Sequence, residues 1–497
     1  MTNIQQQSDE QVRLAKLKKV EEAGINPYPE KFGVKDSLTE AKEKKEGSEV
    51  VCAGRLMTLR DMGKLTFAHM QDFSGKMQIV FKQDDLGKDN YKFLLKHIDL
   101  GDFLGVKGKI FVTKKGETSI LIESWELLSK TLLPLPEKWH GLQDTETKYR
   151  QRYLDMIANR ETLDRFVFRS NLVKKLREFY WAEGFTEIET PILVNNASGA
   201  LAKPFKTRHA ALDIPLYLRI APEIYLKEAI AGGFERVFEL GRAFRNEGMD
   251  PSHLQDFTML EHYTAYWNYE DNMDFTEKMF AHLCKELLGT TKVEILNRDG
   301  SKVEVDFKPP YARVTFRDLI KKDCGIDIDK FEKVEELRKE IKNKKIPLED
   351  ADQLGRGNLI DALYKEVSRP QLTGPVFLTK HPIDVSPLAR SNDDDPKVVD
   401  RFQLVVVGWE VVNAYSELID PLDQEARFAS QAKAKQAGDE DAHGKDDEYV
   451  LAMKHGMPPM SGWGMGVDRL VTLLTQQDNL KDCVLFPLMK PKGSDKD

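Results

Sequence analysis

Apolar residues recur along this chain with two different periods, and the change from one to the other divides it into regions. Over the first 49 residues, KLKKVEEAG and TEAKEKKEG scatter a few apolar positions among many charges. That pattern predicts short solvated helices forming an exposed, charged helical extension over 1–49, with Lys16, Lys18 and Lys19 as candidate nucleic-acid backbone contacts. From residue 50 the period shortens. VVCAGRLMTLR, KLTFAHMQD, KMQIVFK and DFLGVKGKIFVTKKGETSILIESWELL are β-rich runs separated by glycine-containing turns. About five strands of this length suit a small closed barrel. LLPLPEKWHG follows, and its prolines predict a hinge over 139–155.

From about residue 156 helical spacing takes over. Leu163, Phe166, Leu172, Val173, Leu176 and Phe179 share one helical stripe, and Gly184 stands where a C-cap would end it. FTEIETPIL then reads as a strand, and RVFELG, DFTMLEHYTAYW, RFQLVVV and EVVNAYSEL read as further strands. The Lys- and Glu-rich stretch 320–370 predicts a helical insertion, and 433–448 a polar loop or helix. No internal repeat is visible.

Composition narrows the class. With 497 residues, 41% hydrophobic and 31% charged, the chain fits a globular protein of several domains. No apolar run is long enough for a transmembrane helix, and the polar start MTNIQQQSDE has no apolar signal segment. Cys52, Cys284, Cys324 and Cys483 lie far apart with no CxxC pair, which predicts reduced thiols rather than a zinc site or disulfide framework. The net charge is −8, which argues against non-specific nucleic-acid coating. Residues 50–130 carry three more basic than acidic side chains, which points nucleic-acid contact toward the N-terminal third.

Three stretches carry candidate chemistry. ERVFELGRAFRNEGMDPSHLQDFTMLEHYTAYW reads as strand, loop, strand. Arg245 and Glu247 stand where the first strand gives way to the loop, and an Arg fork suits a phosphate or carboxylate. Alternation puts Phe257, Met259, Glu261 and Tyr263 on one face of the second strand. Singly, Arg245 or Glu247 reads as part of a surface hairpin with an ion pair. RFQLVVVGWEVVNAYSELIDP reads as a hairpin turning at Gly408, with Glu410 at the turn and Asn413, Tyr415 and Glu417 on one face. Acids in an apolar strand are costly unless a cation compensates them; the plain alternative is an edge strand whose acids face water. PPMSGWGMGVDRLVTLLT leads three glycines into an apolar helix with Arg469 in its first turn. Glycines allow close backbone approach and a helix N-terminus favours anions, although a lone GxGxG more often marks a tight turn.

Taken in order, these stretches resemble the motifs of class II aminoacyl-tRNA synthetases. EGFTEIETPIL, with Pro191, is similar to motif 1, the FRNEG–DFTMLE hairpin to motif 2, and GMGVDRL to motif 3. SGALAKPF, LRIAPEIYLKEAIAGGFERVFELGRAFRNEG and NAYSELIDPLDQEARF look like the lysine-specific members, and GRLMTLRDMGKLTF is similar to their anticodon-binding barrel. The resemblance implies an α+β fold. An OB-fold β-barrel over 50–138 would precede a class II catalytic domain over 156–497, an antiparallel sheet flanked by helices. It implies ATP-dependent activation of L-lysine and transfer to tRNA(Lys), with Mg²⁺, by a cytoplasmic homodimer that has no membrane association.

Position by position, the resemblance assigns Arg245 to the ATP α-phosphate and the lysine carboxylate. Glu247 and His253 would contact the nucleotide, Phe257 would stack on adenine, and Arg469 would hold the γ-phosphate. Gly199 and Glu223 would receive the lysine α-amino group and Asn413 its carboxylate. Glu417 and Tyr263, supported by Glu261, would bind the ε-ammonium. Glu410 would be the metal ligand. In the barrel, Arg60, Phe67 and Gln78 would read the anticodon, although Phe67 reads equally well as a core residue. Some positions depart from the family pattern: Gln403 replaces a metal-binding Glu, LQD at 254–256 replaces NPE, and Ser198 and Met460 replace Gly and Thr. Gln403 leaves the metal count open and is the one feature favouring a catalytically silent tRNA-binding or regulatory relative. An aspartate- or asparagine-specific relative would need a basic residue where this chain has Glu417 and Tyr263. A paralogue that lysylates a translation factor would lack the barrel.

Overall fold

The alternation over 49–129 becomes a barrel. In the computed structural model, which describes residues 3–136, 142–199, 202–297, 299–386, 388–436 and 446–491 (3–7 and 430–436 by backbone only), five strands close in the order β1-β2-β3-β5-β4. They are β1 (Glu49–Asp61), β2 (Leu65–Gln71), β3 (Lys76–Lys82), β4 (Phe103–Val112) and β5 (Thr118–Ser129). Every second residue, such as Cys52, Leu56, Ala68, Met70 and Ile79, is buried inside. The expected exposed N-terminal arm is instead packed down. Of α1 (Asn3–Glu22) and α2 (Leu38–Glu43), Val20, Leu38 and Ala41 are buried in the barrel's own core. Arg13 Nη1 donates to Leu100 O at 3.1 Å, and Lys16 pairs with Asp99 at 2.5 Å. A sparse apolar stripe and snorkelling basic stems suffice to dock a helix, so charge density alone misled. Helices α3 (Gln83–Leu86) and α4 (Lys88–His97) complete this unit.

By its internal packing the chain forms two units, Met1–Asp144 with Tyr153–Ala158 and Thr145–Arg152 with Asn159–Asp497. Of the hinge expected over 139–155, residues 139–141 lie outside the described residues. Much of the remainder is helical, in α5 (Thr145–Arg150) and α6 (Arg152–Ala158).

In the larger unit the predicted stripe forms α7 (Arg160–Ala182), with Leu172, Leu176 and Phe179 buried and Gly184 just beyond its end at φ +80°. FTEIETPIL does not form one strand. Pro191 offers no amide donor, and only β6 (Thr186–Glu187) and β7 (Leu193–Val194) pair. β8 (Lys206–His209) and β9 (Ile214–Leu218) join β7 in a small sheet, and α8 (Glu223–Ala231) follows. The hairpin β10 (Arg236–Phe244) and β11 (Asp256–Ala265) leads to α9 (Tyr269–Leu288) and the two-stranded β12 (Lys292–Leu296) and β13 (Lys302–Asp306). After β14 (Ala312–Thr315) the expected insertion forms α10 (Phe316–Cys324), α11 (Val334–Asn343) and α12 (Arg356–Val367), whose Leu337, Ile341, Leu359 and Leu363 share a separate core. Then come β15 (Val376–Thr379), β16 (Arg401–Val406), β17 (Trp409–Ser416), α13 (Pro421–Gln436), α14 (Asp447–Lys454), β18 (Met460–Gly466) and α15 (Val467–Leu474). The polar stretch 433–448 falls partly in α13 and α14; residues 437–445 lie outside the described residues.

The main sheet runs β14-β15-β16-β17-β18-β11-β10-β6 and is antiparallel except at its two ends, where β14 pairs with β15 and β10 with β6 in parallel. Alternation sorts its residues. Leu260, Phe402, Leu404, Val412, Ala414, Trp463 and Met465 join α7, α9 and α15 in the large core. On that side His262 stacks on Trp463 at 5.0 Å and shares hydrogen bonds of 2.8 Å with Tyr180 and Asn272. Burial pushes the imidazole down to about 3, so it is neutral, as a hydrogen-bonded core histidine should be. Their strand neighbours face the other way.

Candidate active site

Those neighbours line a cavity of about 360 Å³. Phe257, Met259, Glu261 and Tyr263 come from β11, Arg401 from β16, Glu410, Asn413 and Tyr415 from β17, and Gly462, Gly464 and Gly466 from β18. Gly199, Glu223, Arg245, Glu247, His253 and Arg469 also line it, as expected, whereas Glu417 does not. The glycines are not the tight turn that GxGxG suggests. They occupy alternate positions of a strand, all on the cavity face, with Trp463 and Met465 between them in the core. A Cβ on Gly462 would meet Glu417 Oε1 and the Tyr263 ring. The hairpin of β16 and β17 turns through Val407 (φ 47°) and Gly408 (φ 69°), the two left-handed residues that a tight primed turn requires. A bulge between Leu404 and Val405 then shifts the register by one, placing Arg401 opposite Tyr415 and Gln403 opposite Asn413.

Arg245 directly follows β10, and its guanidinium sits 5.0 Å over the Phe257 ring. Burial pulls its pKa down, against the carboxylates of Glu247 and Glu261. Its Nε is buried with no hydrogen-bond partner, an orphan donor that an anionic ligand would satisfy. Asp468 fixes the start of β11 from α15, accepting from Thr258 N at 2.7 Å and pairing with Arg169 at 2.6 Å. Arg469 Nη1 donates to Glu410 O at 2.9 Å. Glu247 is exposed; His253, also exposed, is held to Asp250 at 2.7 Å. Arg401 Nε donates to Asn413 Oδ1 at 2.8 Å, which leaves the Asn413 amide nitrogen as a donor for a carboxylate.

The acids cluster more tightly than alternation predicts. Glu223 accepts from Tyr415 Oη at 3.0 Å, and Gly199, at φ +95°, leaves room against its Cβ. Glu261 is buried with Oε2 unpartnered. Burial, reinforced by the Glu223 charge, holds its carboxyl well above the usual range. Glu417 stands apart from the rest of the expected set: it is buried behind the cavity lining, and its carboxylate contacts the Lys227 ammonium. The residue reading missed Lys227, although its spacing of four from Glu223 on a helix was a legible sign. It also gave Tyr415 and Arg401 no role.

Among the described residues no three or more metal-ligating side chains come together. Glu410 alone of the two expected metal positions lines the cavity. A single carboxylate beside Arg245 and Arg469 fits Mg²⁺, which takes few protein ligands when substrate phosphates supply the rest. Gln403 lies near His381, which burial and then Arg401 keep well below the usual histidine range.

On the barrel, Phe67 is half-buried and outside the core, between buried Thr66 and Ala68 and opposite exposed Arg60. Gln78 Nε2 donates to Glu117 Oε2 at 2.8 Å while its Oε1 accepts from Ser119 at 2.8 Å. His69 stands 3.6 Å from Glu117. His69 and Glu117 were not singled out in the sequence.

Comparison with known proteins fits this geometry. The family described as tRNA synthetases class II (D, K and N) matches residues 144–490, and the OB-fold nucleic acid binding domain matches 50–128. A lysine–tRNA ligase of Thermosipho africanus is 46% identical over 489 residues, 96% of this chain and 95% of that one. The chain belongs to the class II tRNA synthetases, among the lysine–tRNA ligases. In this synthetase the α+β catalytic unit follows an OB-fold domain. Lysine–tRNA ligases of Aquifex aeolicus and Pelotomaculum thermopropionicum are 47% and 44% identical, over 90% and 97% of this chain and 74% and 94% of theirs. Among the described residues no helix is long and apolar enough to cross a membrane.

Proposed function

We propose that this synthetase activates L-lysine with ATP and passes the lysyl group to the 3′ end of tRNA(Lys). One observation carries the choice of lysine: Glu223 and Glu261 line one cavity, Glu417 lies buried behind its lining at Gly462, and Glu261 holds a buried oxygen with no hydrogen bond. A diamino acid brings the donors such oxygens lack. An acidic or amide side chain would need an uncommitted cation, and Lys227 is already paired with Glu223 and Glu417.

The roles follow from chemistry. Glu223 with Gly199 receives the α-ammonium; Glu417 and Tyr263, supported by Glu261, receive the ε-ammonium. Asn413 and Arg245 hold the carboxylate. One carboxylate oxygen attacks the α-phosphorus of ATP, a phosphorus–oxygen bond forms, and the bond to pyrophosphate breaks. Arg245 lowers the barrier by meeting the charge that develops there. Phe257, Glu247 and His253 orient the nucleotide, and Arg469 holds the γ-phosphate. Glu410 would hold Mg²⁺ beside the phosphates, and the ion would supply further charge neutralisation. A hydroxyl of the terminal adenosine of tRNA then takes the acyl group and AMP leaves. Arg60, Phe67 and Gln78 read the anticodon, a half-buried ring and an amide being suited to stacking and edge contacts. The molecule works as a cytoplasmic homodimer. Lysine-dependent exchange of pyrophosphate into ATP tests the activation step; no exchange with lysine, or equal exchange with aspartate, would overturn it.

A further inference from the structure

Behind the cavity, α8 places Lys227 one turn after Glu223. The side chain is fully buried. Its Nζ lies 2.5 Å from Glu223 Oε1 and contacts Glu417 Oε2. The rings of Tyr263, Tyr415 and Tyr449 surround it with centroids 5.7, 5.8 and 5.8 Å away. An isolated buried ammonium is costly; two carboxylates and three aromatic faces compensate this one. Burial pulls Lys227 down, but Glu223 and Glu417 outweigh it and hold the group charged, above its ordinary range. Glu417 Oε1 points where a Cβ on Gly462 would stand, and Gly462 lines the cavity. One ammonium therefore engages both acids, while an oxygen of Glu417 is separated from the cavity by a glycine.

We propose that Lys227 is a specificity-determining positioning residue: by clamping Glu223 and Glu417 together it fixes the separation of the acids that receive the substrate's two ammonium groups, and so makes the pocket read the length of a diamino acid. This rests on the lysine reading above. The substrate carboxylate is left to Arg245. Without the clamp the two acids repel each other and separate, and the pocket no longer measures one methylene.

The test is pyrophosphate exchange by the full chain with lysine and with ornithine, one methylene shorter. A hydrophobic or steric reading of one methylene is worth roughly 10–200-fold. Lys227→Met is expected to raise the KM for lysine and to cut the lysine-over-ornithine ratio of kcat/KM, each by at least about tenfold. The KM for ATP should stay close to that of the unaltered chain. Lys227→Arg, which keeps the charge, should recover part of the lysine affinity with an altered ratio. An unchanged ratio in Lys227→Met overturns the proposal, as does a matching fall in every parameter, which marks a purely structural lysine. If Lys227→Met fails to fold, Lys227→Arg decides, because its planar head must shift the acids; an unchanged ratio there is equally fatal. Absence of lysine-dependent exchange in the unaltered chain would overturn the functional reading instead.

Discussion

At the scale of single residues, a carboxylate's meaning depends on what faces it. Glu417 is a buried acid whose carboxylate contacts the Lys227 ammonium and accepts from the Gly462 backbone amide. Glu417→Gln removes the charge that compensates an ammonium, and breaking a buried pair costs roughly 3–5 kcal/mol. Lysine-dependent exchange should collapse by about that amount in kcat/KM, while ATP binding, followed by calorimetry, survives; normal lysine kinetics would remove Glu417 from the pocket. Gln403 poses the converse question. A neutral amide offers Mg²⁺ only its carbonyl oxygen, and Gln403 pairs in register with cavity-lining Asn413. Gln403→Glu is expected to be tolerated and to lower the Mg²⁺ concentration giving half-maximal exchange, whereas Glu410→Gln abolishes adenylate formation. A Mg²⁺ requirement that rises or stays put in Gln403→Glu would end the idea that this position is a depleted metal ligand.

At the scale of elements, period-2 alternation is what turns strands into a site. β11, β16, β17 and β18 each send one set of residues into the core and the other toward the cavity. The glycines of β18 keep that face thin enough for Glu417 to approach from behind. The same rule governs the barrel, where Phe67 stands between inward-facing neighbours on β2. Phe67→Ala should lose roughly 1–3 kcal/mol of base stacking. Aminoacylation of tRNA should weaken while lysyl-adenylate formation is untouched; equal loss in both assays would show that the ring supports the fold instead.

At the scale of the whole molecule, Trp181 of α7 and Ile192 and Leu193 at β7 remain exposed, in and beside the segment that resembles motif 1. Large exposed apolar side chains near one another in sequence suit an interface, and a two-fold pairing lets the same surface serve both copies. Multi-angle light scattering at micromolar concentration should report a mass near twice 56.9 kDa; a monomer there contradicts the dimer. Trp181→Asp should shift the population toward monomer.

The residues alone determined a good deal. Alternation and helical spacing marked the barrel, α7 and the two hairpins, because an element with one buried face must repeat its apolar residues at the element's own period. The order of the motif-like stretches identified the family, and Gly199, Glu223, Arg245, Glu261, Asn413 and Arg469 of the cavity were nameable, whereas Ser386, Ala389 and Arg401 were not. What spacing could not supply was which face the second set of residues meets. Only the folded sheet brought Lys227, already beside Glu223 on α8, against the distant Glu417, turned GxGxG from a turn into a strand face, and set Arg401 against Asn413 across the β16–β17 hairpin. The docking of α1 was hidden too. Arg13 and Lys16 look like solvent charges until Leu100 and Asp99 are brought to them, and a charge is solvated or paired according to its neighbours in space.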